Sequence, residues 1–401
     1  MQTLNLTDDI LEKEHDYLVQ SYQRPSFLLV RGQGMTLYDA QDKPYADWVA
    51  GIAVNALGYG DPGVAQAIQR QLETGLIHTS NLYHTIPHAR LAEALVARSF
   101  ADRVFFCNSG TEANEGALKF ARRVAYDSGQ TDKTEIVAFS GAFHGRTFGS
   151  LSITPKDKYQ KPFKPLLQGV TIVDYNDIEG VRQAITDKTC AVIFETIQGE
   201  GGIHCATPEF AREVRCLCDM HGALLIFDEV QCGMGRTGHL WAHEALGVTP
   251  DMMTIAKPLA AGLPIGAILV TQAVADHIHL GDHGTTFGGG PLVTSVALHV
   301  LERVSQPDFL AHVRDVGDYL LERLSEINSP LIRQVRGRGL MVGLELTIDV
   351  SPIVKQGYER SLLLVNAGTN VIRLVPPLIA RHSDVDFLIE RLSLLLEQAH
   401  V

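Results

Sequence analysis

Two apolar runs of the chain each end in a residue that can do chemistry. Asp228 follows the run at residues 223–227, and Lys257 follows the run at residues 252–256. Both runs have the length of a buried strand, and the ligands of parallel sheets lie beyond the carboxyl ends of the strands. We therefore expect Asp228 and Lys257 to lie at one rim of a sheet and to face a ligand there.

An aspartate and a lysine at such a rim suit a pyridine-type ligand. The carboxylate of Asp228 can keep a ring nitrogen protonated through a charge-assisted hydrogen bond worth about 1.5–3 kcal/mol. The Lys257 amine can condense with an aldehyde when desolvation and nearby positive charge leave it partly neutral. Taken singly, Asp228 could instead cap a turn and Lys257 could simply be solvated.

A third segment could bind an anion. Residues 108–114 read Asn-Ser-Gly-Thr-Glu-Ala-Asn and lie between an apolar run and a helical pattern. Free amides at the helix start, with Gly110 allowing close approach, predict an anion site at Gly110 and Thr111, although simple N-capping by Ser109 or Thr111 is the alternative. No P-loop lysine is present, which disfavours a nucleoside triphosphate. Together the three segments supply a phosphate-binding helix start, a carboxylate for a ring nitrogen and an amine for an aldehyde. Pyridoxal 5'-phosphate requires all three.

Motifs in family order over nearly the whole chain resemble those of the class III (omega-amino acid) aminotransferases. The matching segments are residues 106–115 (FCNSGTEANE), 141–147 (GAFHGRT), 198–202 (QGEGG), 227–231 (FDEVQ), 235–238 (GRTG), 256–257 (AK) and 284–288 (GTTFG). The resemblance implies a fold type I transferase that uses pyridoxal 5'-phosphate to move an amino group from a small donor to 2-oxoglutarate.

The same resemblance implies a role for each cofactor-binding residue. Lys257 would hold the cofactor as a Schiff base, and Asp228 would bind its ring nitrogen. The other implied contacts are Gln231 at the ring hydroxyl, Phe143 and Val230 at the two ring faces, Gly110 and Thr111 at the phosphate, and Thr286 at the phosphate from a second subunit. That last contact implies a homodimer with its active sites at the subunit interface.

Substrate recognition is expected to depend on arginine, because donor and acceptor both carry carboxylates and arginine binds these in a bidentate fork. The resemblance implies that Arg146, with Thr285 nearby, binds the α-carboxylate of the donor. Arg373 would bind a carboxylate of 2-oxoglutarate, and Glu200 would pair with Arg373 until that substrate arrives. Surface ion pairs, worth under about 1 kcal/mol, are the alternative interpretation.

The identity of the donor is less specified than the class of reaction. Residues 51–58, 281–288 and 367–374 most resemble family members that take N-acetylornithine, a reaction of arginine biosynthesis. Donors left open are 4-aminobutyrate, succinylornithine, succinyldiaminopimelate and ornithine, and an aminomutase is a further alternative. Cys232, Gly290 and the run at 258–262 depart from the family pattern, so they bear on donor choice.

The elements that must position these residues follow from the alternation of apolar runs with amphipathic stretches. This alternation predicts an α/β fold of βαβ units, with a parallel sheet and helices on both faces, and the resemblance implies a mostly parallel central sheet of seven strands. We expect strands at 103–107, 135–139, 171–173, 191–195, 223–228, 252–256 and 267–270, and helices at 111–126, 178–185 and 208–221. We expect a large cofactor-binding domain at 59–300 and a smaller α+β domain from 1–58 and 301–401, with a hairpin around 39–43.

Composition excludes several other classes of function. A formal net charge of −12 and a pI near 5.7 disfavour nucleic-acid and anionic-membrane partners. The start of the chain lacks the pattern of a signal peptide and no apolar run approaches the length of a membrane span, so we expect a cytoplasmic protein. The histidine groups lack metal-ligand spacing, and we expect no metal site.

Two rival classes of protein lack their motifs. The glycines at 337–343 precede an apolar run instead of opening a helix, which disfavours a dinucleotide-binding or regulatory α/β protein. No G-x-S-x-G elbow is present for a hydrolase.

Overall fold

A computed structural model describes residues 2–400 of the chain, with side chains from residue 6 to residue 399. The strands are β1 (Leu29–Gln33), β2 (Thr36–Asp39), β3 (Pro44–Asp47), β4 (Arg103–Cys107), β5 (Glu135–Phe139), β6 (Val170–Val173), β7 (Thr189–Phe194), β8 (Ile197–Gln198), β9 (His204–Cys205), β10 (Leu224–Asp228), β11 (Met252–Ile255), β12 (Gly266–Val270), β13 (Ile332–Arg338), β14 (Met341–Leu346), β15 (Leu362–Leu363), β16 (Val365–Asn366) and β17 (Val371–Leu374).

Helices precede, separate and follow these strands. They are α1 (Gln2–Tyr17), α2 (Ala50–Ala53), α3 (Pro62–Glu73), α4 (Ile86–Val96), α5 (Gly110–Asp127), α6 (Phe148–Ser152), α7 (Asp157–Gln160), α8 (Ile178–Ala184), α9 (Pro208–His221), α10 (Gln272–Ala275), α11 (Pro291–Val304), α12 (Pro307–Ser325), α13 (Ser351–Gly357) and α14 (His382–His400). None of the helices within residues 2–400 is both long enough and apolar enough to cross a membrane.

Seven strands form the central sheet, in the order β4-β12-β11-β10-β7-β5-β6. Within it β12 pairs antiparallel with both β11 and β4, whereas the pairs from β11 through to β6 are all parallel. Every residue of β7, β11 and β12 is buried, as expected for strands covered on both faces. The prediction of a mostly parallel seven-stranded sheet is confirmed.

Side chains that alternate along β5 show how the two faces are covered. Ile136 and Ala138 belong to a core cluster with Ala113 and Ala117 of α5. Val137 and Phe139 belong to a separate cluster on the other face, which includes Phe210, Val214 and Leu217 of α9. Successive strand residues point to opposite faces, so α5 and α9 pack on opposite sides of the sheet.

The chain ends build two further four-stranded sheets, β1-β2-β3-β15 and β13-β14-β17-β16. The hairpin expected around residues 39–43 is present between β2 and β3, where Asp39 Oδ1 accepts hydrogen bonds from the backbone N–H of Gln41 and Lys43. The division into two domains stays a prediction. Helix α11 continues through the boundary that we placed at residue 300.

Candidate active site

A cavity of about 380 Å³ lies where β10, β11 and the start of α5 meet. Its volume falls within the range of about 300–1,000 Å³ that small-molecule sites occupy. Of the twelve residues expected at the site, eight line this cavity: Gly110, Thr111, Phe143, Arg146, Asp228, Val230, Gln231 and Lys257. Asp228 and Lys257 therefore line the same cavity, beyond the carboxyl ends of two parallel strands, where we expected them.

Asp228 ends β10, and its carboxylate is held by three donors. Its Oδ2 accepts hydrogen bonds from Asn114 Nδ2 and His144 Nδ1, both at 2.7 Å, and its Oδ1 accepts one from the backbone N–H of Val230 at 2.9 Å. Asn114 is itself fixed by the hydroxyl of Thr254, which donates to Asn114 Oδ1 at 2.7 Å. This network orients the carboxylate before any ligand is bound.

His144 is fully buried behind Asp228. Burial alone would lower its pKa, but the hydrogen bond and negative charge of Asp228 raise the pKa of His144 above its ordinary value. Its Nε2 has no hydrogen-bond partner among the described residues. A protonated His144 would add positive charge behind the Asp228 carboxylate.

Glu195 is a further buried acid at the cavity wall. Burial raises its pKa to about 7, with nearby Asp228 acting in the same direction and His144 opposing. Its Oε2 accepts a hydrogen bond from the backbone N–H of Phe143 at 3.2 Å, and its Oε1 accepts one from Gly199 at 3.1 Å. Glu195 thus holds the loop that carries Phe143 against the sheet.

Asn114, His144 and Glu195 were not among the residues predicted to act at the site. Glu195 could have been found, because it directly follows β7, the neighbour of β10, and the strand-end argument applies to it equally. Asn114 lies inside a helix and His144 inside a loop. Their contact with Asp228 depends on how α5 packs on the sheet, and spacing along the chain does not reveal it.

Lys257 follows β11 and begins a 3-10 turn that extends to Ala260. Burial lowers the pKa of its amine, and the positive charge of Arg373 adds to the effect, while Asp228 and Glu200 oppose it. A lowered pKa enlarges the neutral fraction of the amine, and the neutral amine is the form that attacks a carbonyl carbon.

The start of α5 forms the third wall of the cavity. Ser109 caps the helix by accepting a hydrogen bond from the backbone N–H of Glu112 at 3.3 Å. A Cβ at Gly110 would lie 2.6 Å from Val230 Cγ1, so a larger residue would force Val230 to move. Glycine at this position therefore allows the start of α5 to pack directly against Val230, and Gly110 and Thr111 both line the cavity.

These walls fit pyridoxal 5'-phosphate. One cavity combines a helix start whose backbone N–H groups can bind a phosphate, a fixed carboxylate for a ring nitrogen and an amine of lowered pKa for an aldehyde. No group of three histidine, cysteine or acidic side chains among the described residues could hold a metal ion.

Arg373 and Glu200 lie just behind the cavity wall. Arg373 is buried on β17, and its Nη1 donates to Glu200 Oε1 at 2.5 Å and to Gln231 Oε1 at 3.0 Å. Although burial raises the pKa of Glu200, the charge and hydrogen bond of Arg373 lower it below its ordinary value. Gln231 lines the cavity, so it connects the ion pair to the site.

Thr285 and Thr286 are not brought to this cavity. The Thr285 hydroxyl accepts hydrogen bonds from Asn108 Nδ2 at 3.1 Å and from the backbone N–H of Gly288 at 3.2 Å. Thr286 is exposed on the same loop. The structure therefore does not place Thr285 beside Arg146 within one chain.

Comparison with known proteins gives concordant matches over almost the whole chain. The sequence model of a family described as Aminotransferase class-III matches residues 17–396. Acetylornithine aminotransferase, mitochondrial, from Alnus glutinosa is 50% identical over 95% of this chain and 86% of its own length. Succinylornithine transaminase from Yersinia pseudotuberculosis is 44% identical over 96% of this chain and 95% of its own length.

A solved structure with a similar fold is the N-acetylornithine aminotransferase of Stenotrophomonas maltophilia. It superposes with a TM-score of 0.84 at 37% identity, covering 97% of this chain and 99% of that protein. The fold, the cavity and the matched sequence thus point to the same family.

Proposed function

The chain belongs to the class III aminotransferases, and we propose that it transfers the 5-amino group of N-acetylornithine to 2-oxoglutarate. It is a pyridoxal 5'-phosphate-dependent enzyme, and the proposed products are N-acetylglutamate 5-semialdehyde and glutamate, a step of arginine biosynthesis. The observation that carries the proposal is that Lys257, with its lowered pKa, and Asp228 line one cavity. The 50% identity with an acetylornithine aminotransferase supports the choice of donor.

Each cavity wall has a proposed part in holding the cofactor. Bound pyridoxal 5'-phosphate supplies a conjugated ring that draws electrons from the substrate carbon. Lys257 Nζ would hold its aldehyde carbon, and Asp228 would keep its ring nitrogen protonated. Phe143 and Val230 would pack against the ring faces, where flat and branched apolar side chains exclude water. The remaining contacts would be Gly110 and Thr111 at the phosphate and Gln231 at the ring hydroxyl.

Lys257 is also the proposed base. The free Lys257 amine would take a proton from the amine-bearing carbon of the donor and would hold it at Nζ for the return transfer. A base works best when its pKa lies near the working pH, and the lowered pKa of Lys257 moves it in that direction.

Two arginines are proposed to bind the substrate carboxylates. Arg146 lines the cavity and would take the α-carboxylate of the donor. Glu200 neutralises Arg373 in the ion pair, so Arg373 does not attract a second carboxylate during the first half of the reaction. A carboxylate of 2-oxoglutarate would then displace Glu200. This pair also favours a two-substrate enzyme over an aminomutase, which needs no acceptor.

We further propose a homodimer in which Thr286 completes the phosphate site of the partner subunit. Large apolar side chains are exposed beside Thr286, namely Leu82 at 85%, Tyr83 at 70% and Phe287 at 66%. Asn81 Nδ2 joins their two loops by donating to the backbone oxygen of Thr285 at 3.1 Å. Clustered exposed apolar residues are typical of an interaction surface. We propose the cytoplasm as the location, as the sequence led us to expect.

A ranking of donors tests the proposed function. Turnover efficiency should be measured for N-acetylornithine, succinylornithine, ornithine and 4-aminobutyrate, with and without 2-oxoglutarate. We expect N-acetylornithine to lead and turnover to require the acceptor. Succinylornithine is the second candidate, because a succinylornithine transaminase is 44% identical to the chain. If another donor leads, the donor assignment is wrong, and turnover without 2-oxoglutarate would instead indicate an aminomutase.

A further inference from the structure

The guanidinium of Arg146, an exposed residue at the cavity, stacks on an aromatic ring. Its guanidinium carbon lies 3.6 Å from the centroid of the Tyr159 ring, whereas the ring of Phe143 is farther away, at 5.7 Å. Arg146 lines the cavity. Among the described residues, no carboxylate forms an ion pair with it. The stack on Tyr159 is therefore its closest interaction.

Stacking and carboxylate binding use different parts of a guanidinium. The ring covers one flat face and is attracted to the positive charge, while the N–H groups point outward in the plane of the guanidinium. A carboxylate binds at the edge, through two parallel hydrogen bonds. Tyr159 can thus fix Arg146 without neutralising it and without occupying its donors.

A second stacked pair in the same chain shows the contrast. Arg31 lies 3.4 Å from the ring centroid of Tyr38, and it also forms an ion pair with Asp42. That arginine is stacked and neutralised, away from the cavity. Arg146 has the stack alone, which leaves its edge available for a ligand.

The segment that carries Tyr159 is tied to the protein on both sides. Gln160 Nε2 donates to the backbone oxygens of Leu151 at 2.9 Å and Thr154 at 3.1 Å, which anchors α7 to the end of α6. Lys156 Nζ donates to the backbone oxygen of Glu200 at 3.0 Å. The Tyr159 ring therefore belongs to a segment that hydrogen bonds anchor. The same segment contacts the loop that carries Glu200, the ion-pair partner of Arg373.

We propose that Tyr159 is a positioning residue that sets the orientation of Arg146 for the α-carboxylate end of the substrate. The inference rests on the proposed function, because that function makes Arg146 the carboxylate-binding residue. Tyr159 acts through Arg146 and does not touch the reacting atoms. It should consequently affect how tightly a carboxylate is bound and leave the chemical step unchanged.

The test uses the holoenzyme and compares Tyr159→Leu with Tyr159→Phe. For Tyr159→Leu we expect the KM for N-acetylornithine to rise about tenfold, equivalent to about 1.4 kcal/mol, with kcat within about twofold of the wild type. Binding of glutarate, an unreactive dicarboxylate, should weaken about tenfold by calorimetry. Turnover of 1-aminopentane, a donor without a carboxylate, should not change. Tyr159→Phe keeps the ring and should match the wild type in all three measurements.

Two controls separate positioning from general damage. Tyr38→Leu removes the stack with Arg31, away from the cavity, and should leave glutarate binding unchanged. Thermal unfolding should show that the Tyr159 variants are folded, and Tyr159→Gln, which also lacks a ring, replaces Tyr159→Leu if that variant is not.

Three results would overturn the inference: unchanged glutarate binding in Tyr159→Leu, equal losses for both donors, or a loss in Tyr159→Phe as large as in Tyr159→Leu. Failure of the proposed function gives a different result. In that case glutarate binding would still depend on the Tyr159 ring, but the wild type would not turn over N-acetylornithine. If the wild type binds no glutarate at all, the inference about Tyr159 is wrong, while turnover of N-acetylornithine still decides the proposed function.

Discussion

The residues around Asp228 differ in whether their roles could be predicted from the sequence. Asp228 and Lys257 could be predicted because each directly follows an apolar strand of one sheet, and parallel strands end at a common rim. His144 and Asn114 contact Asp228 from a loop and a helix, 84 and 114 positions away along the chain. Those contacts follow from tertiary packing, which sequence spacing does not report.

Glu195 should make the stability of the protein depend on pH. Its pKa of about 7 in the folded protein lies above the ordinary value of 4.5. Between these values the folded protein keeps a proton that the unfolded chain has released, so stability falls as pH rises from about 4.5 to 7. The raised pKa of His144 acts with the same sign: it stabilises the fold below the ordinary pKa, and that stability is lost as pH rises through the folded pKa.

Glu195→Gln removes the titrating group and tests this account. The free energy of unfolding of the cofactor-free wild type, minus that of the variant, should decrease as pH rises from about 4.5 to 7. Urea unfolding at several pH values measures this difference. A difference that stays constant, or that increases with pH, would contradict the raised pKa.

Elements of the central sheet were predicted to within about two residues, because strands buried on both faces appear as short apolar runs. Helix α9 was predicted with its observed bounds, helped by Pro208 in its first turn and by Gly222 with φ of 63° at its end. Helix α1 was not predicted, since charged residues are frequent in its second half. The two-residue strands β8 and β9 were also missed, because so short a pair has no periodicity.

Gly110 at the start of α5 packs against Val230 in the loop after β10. This contact predicts that substitutions at the two positions affect cofactor binding jointly. Gly110→Ala places a methyl group 2.6 Å from Val230 Cγ1, and such overpacking typically costs about 1–3 kcal/mol. We expect affinity for pyridoxal 5'-phosphate to fall about tenfold, measured by equilibrium absorbance titration.

Val230→Ala provides the matched control for that prediction. The double variant should lose less affinity than the sum of the single losses, because the shortened side chain makes room for the new methyl group. Strictly additive losses would show that the two elements do not meet at this contact.

At the scale of the whole molecule, the cavity within one chain lacks the Thr286 contact that the family resemblance implies. Thr286 is exposed on a loop beside large exposed apolar residues. A symmetric dimer could bring this loop to the partner's cavity, and the same contact would then occur twice. Oligomeric arrangement could be predicted only from the resemblance, because nothing in the spacing of one chain identifies the partner surface.

Mixing two inactive variants tests that arrangement. Lys257→Ala removes the amine, and Thr286→Arg blocks the proposed partner contact, so each homodimer should be inactive. A mixed dimer contains one cavity that has both Lys257 and an intact Thr286 from the other subunit. Random mixing should restore about a quarter of wild-type activity, and no restoration would contradict a shared site.

The attachment point of the cofactor is the most direct test of the whole account. The protein loaded with pyridoxal 5'-phosphate should be reduced with borohydride, digested and analysed by peptide mass spectrometry. We predict that the reduced cofactor is attached to Lys257 Nζ and that Lys257→Ala carries none at the site. Attachment to a different lysine, or no attachment in the wild type, would contradict the central claim that Lys257 holds the cofactor opposite Asp228.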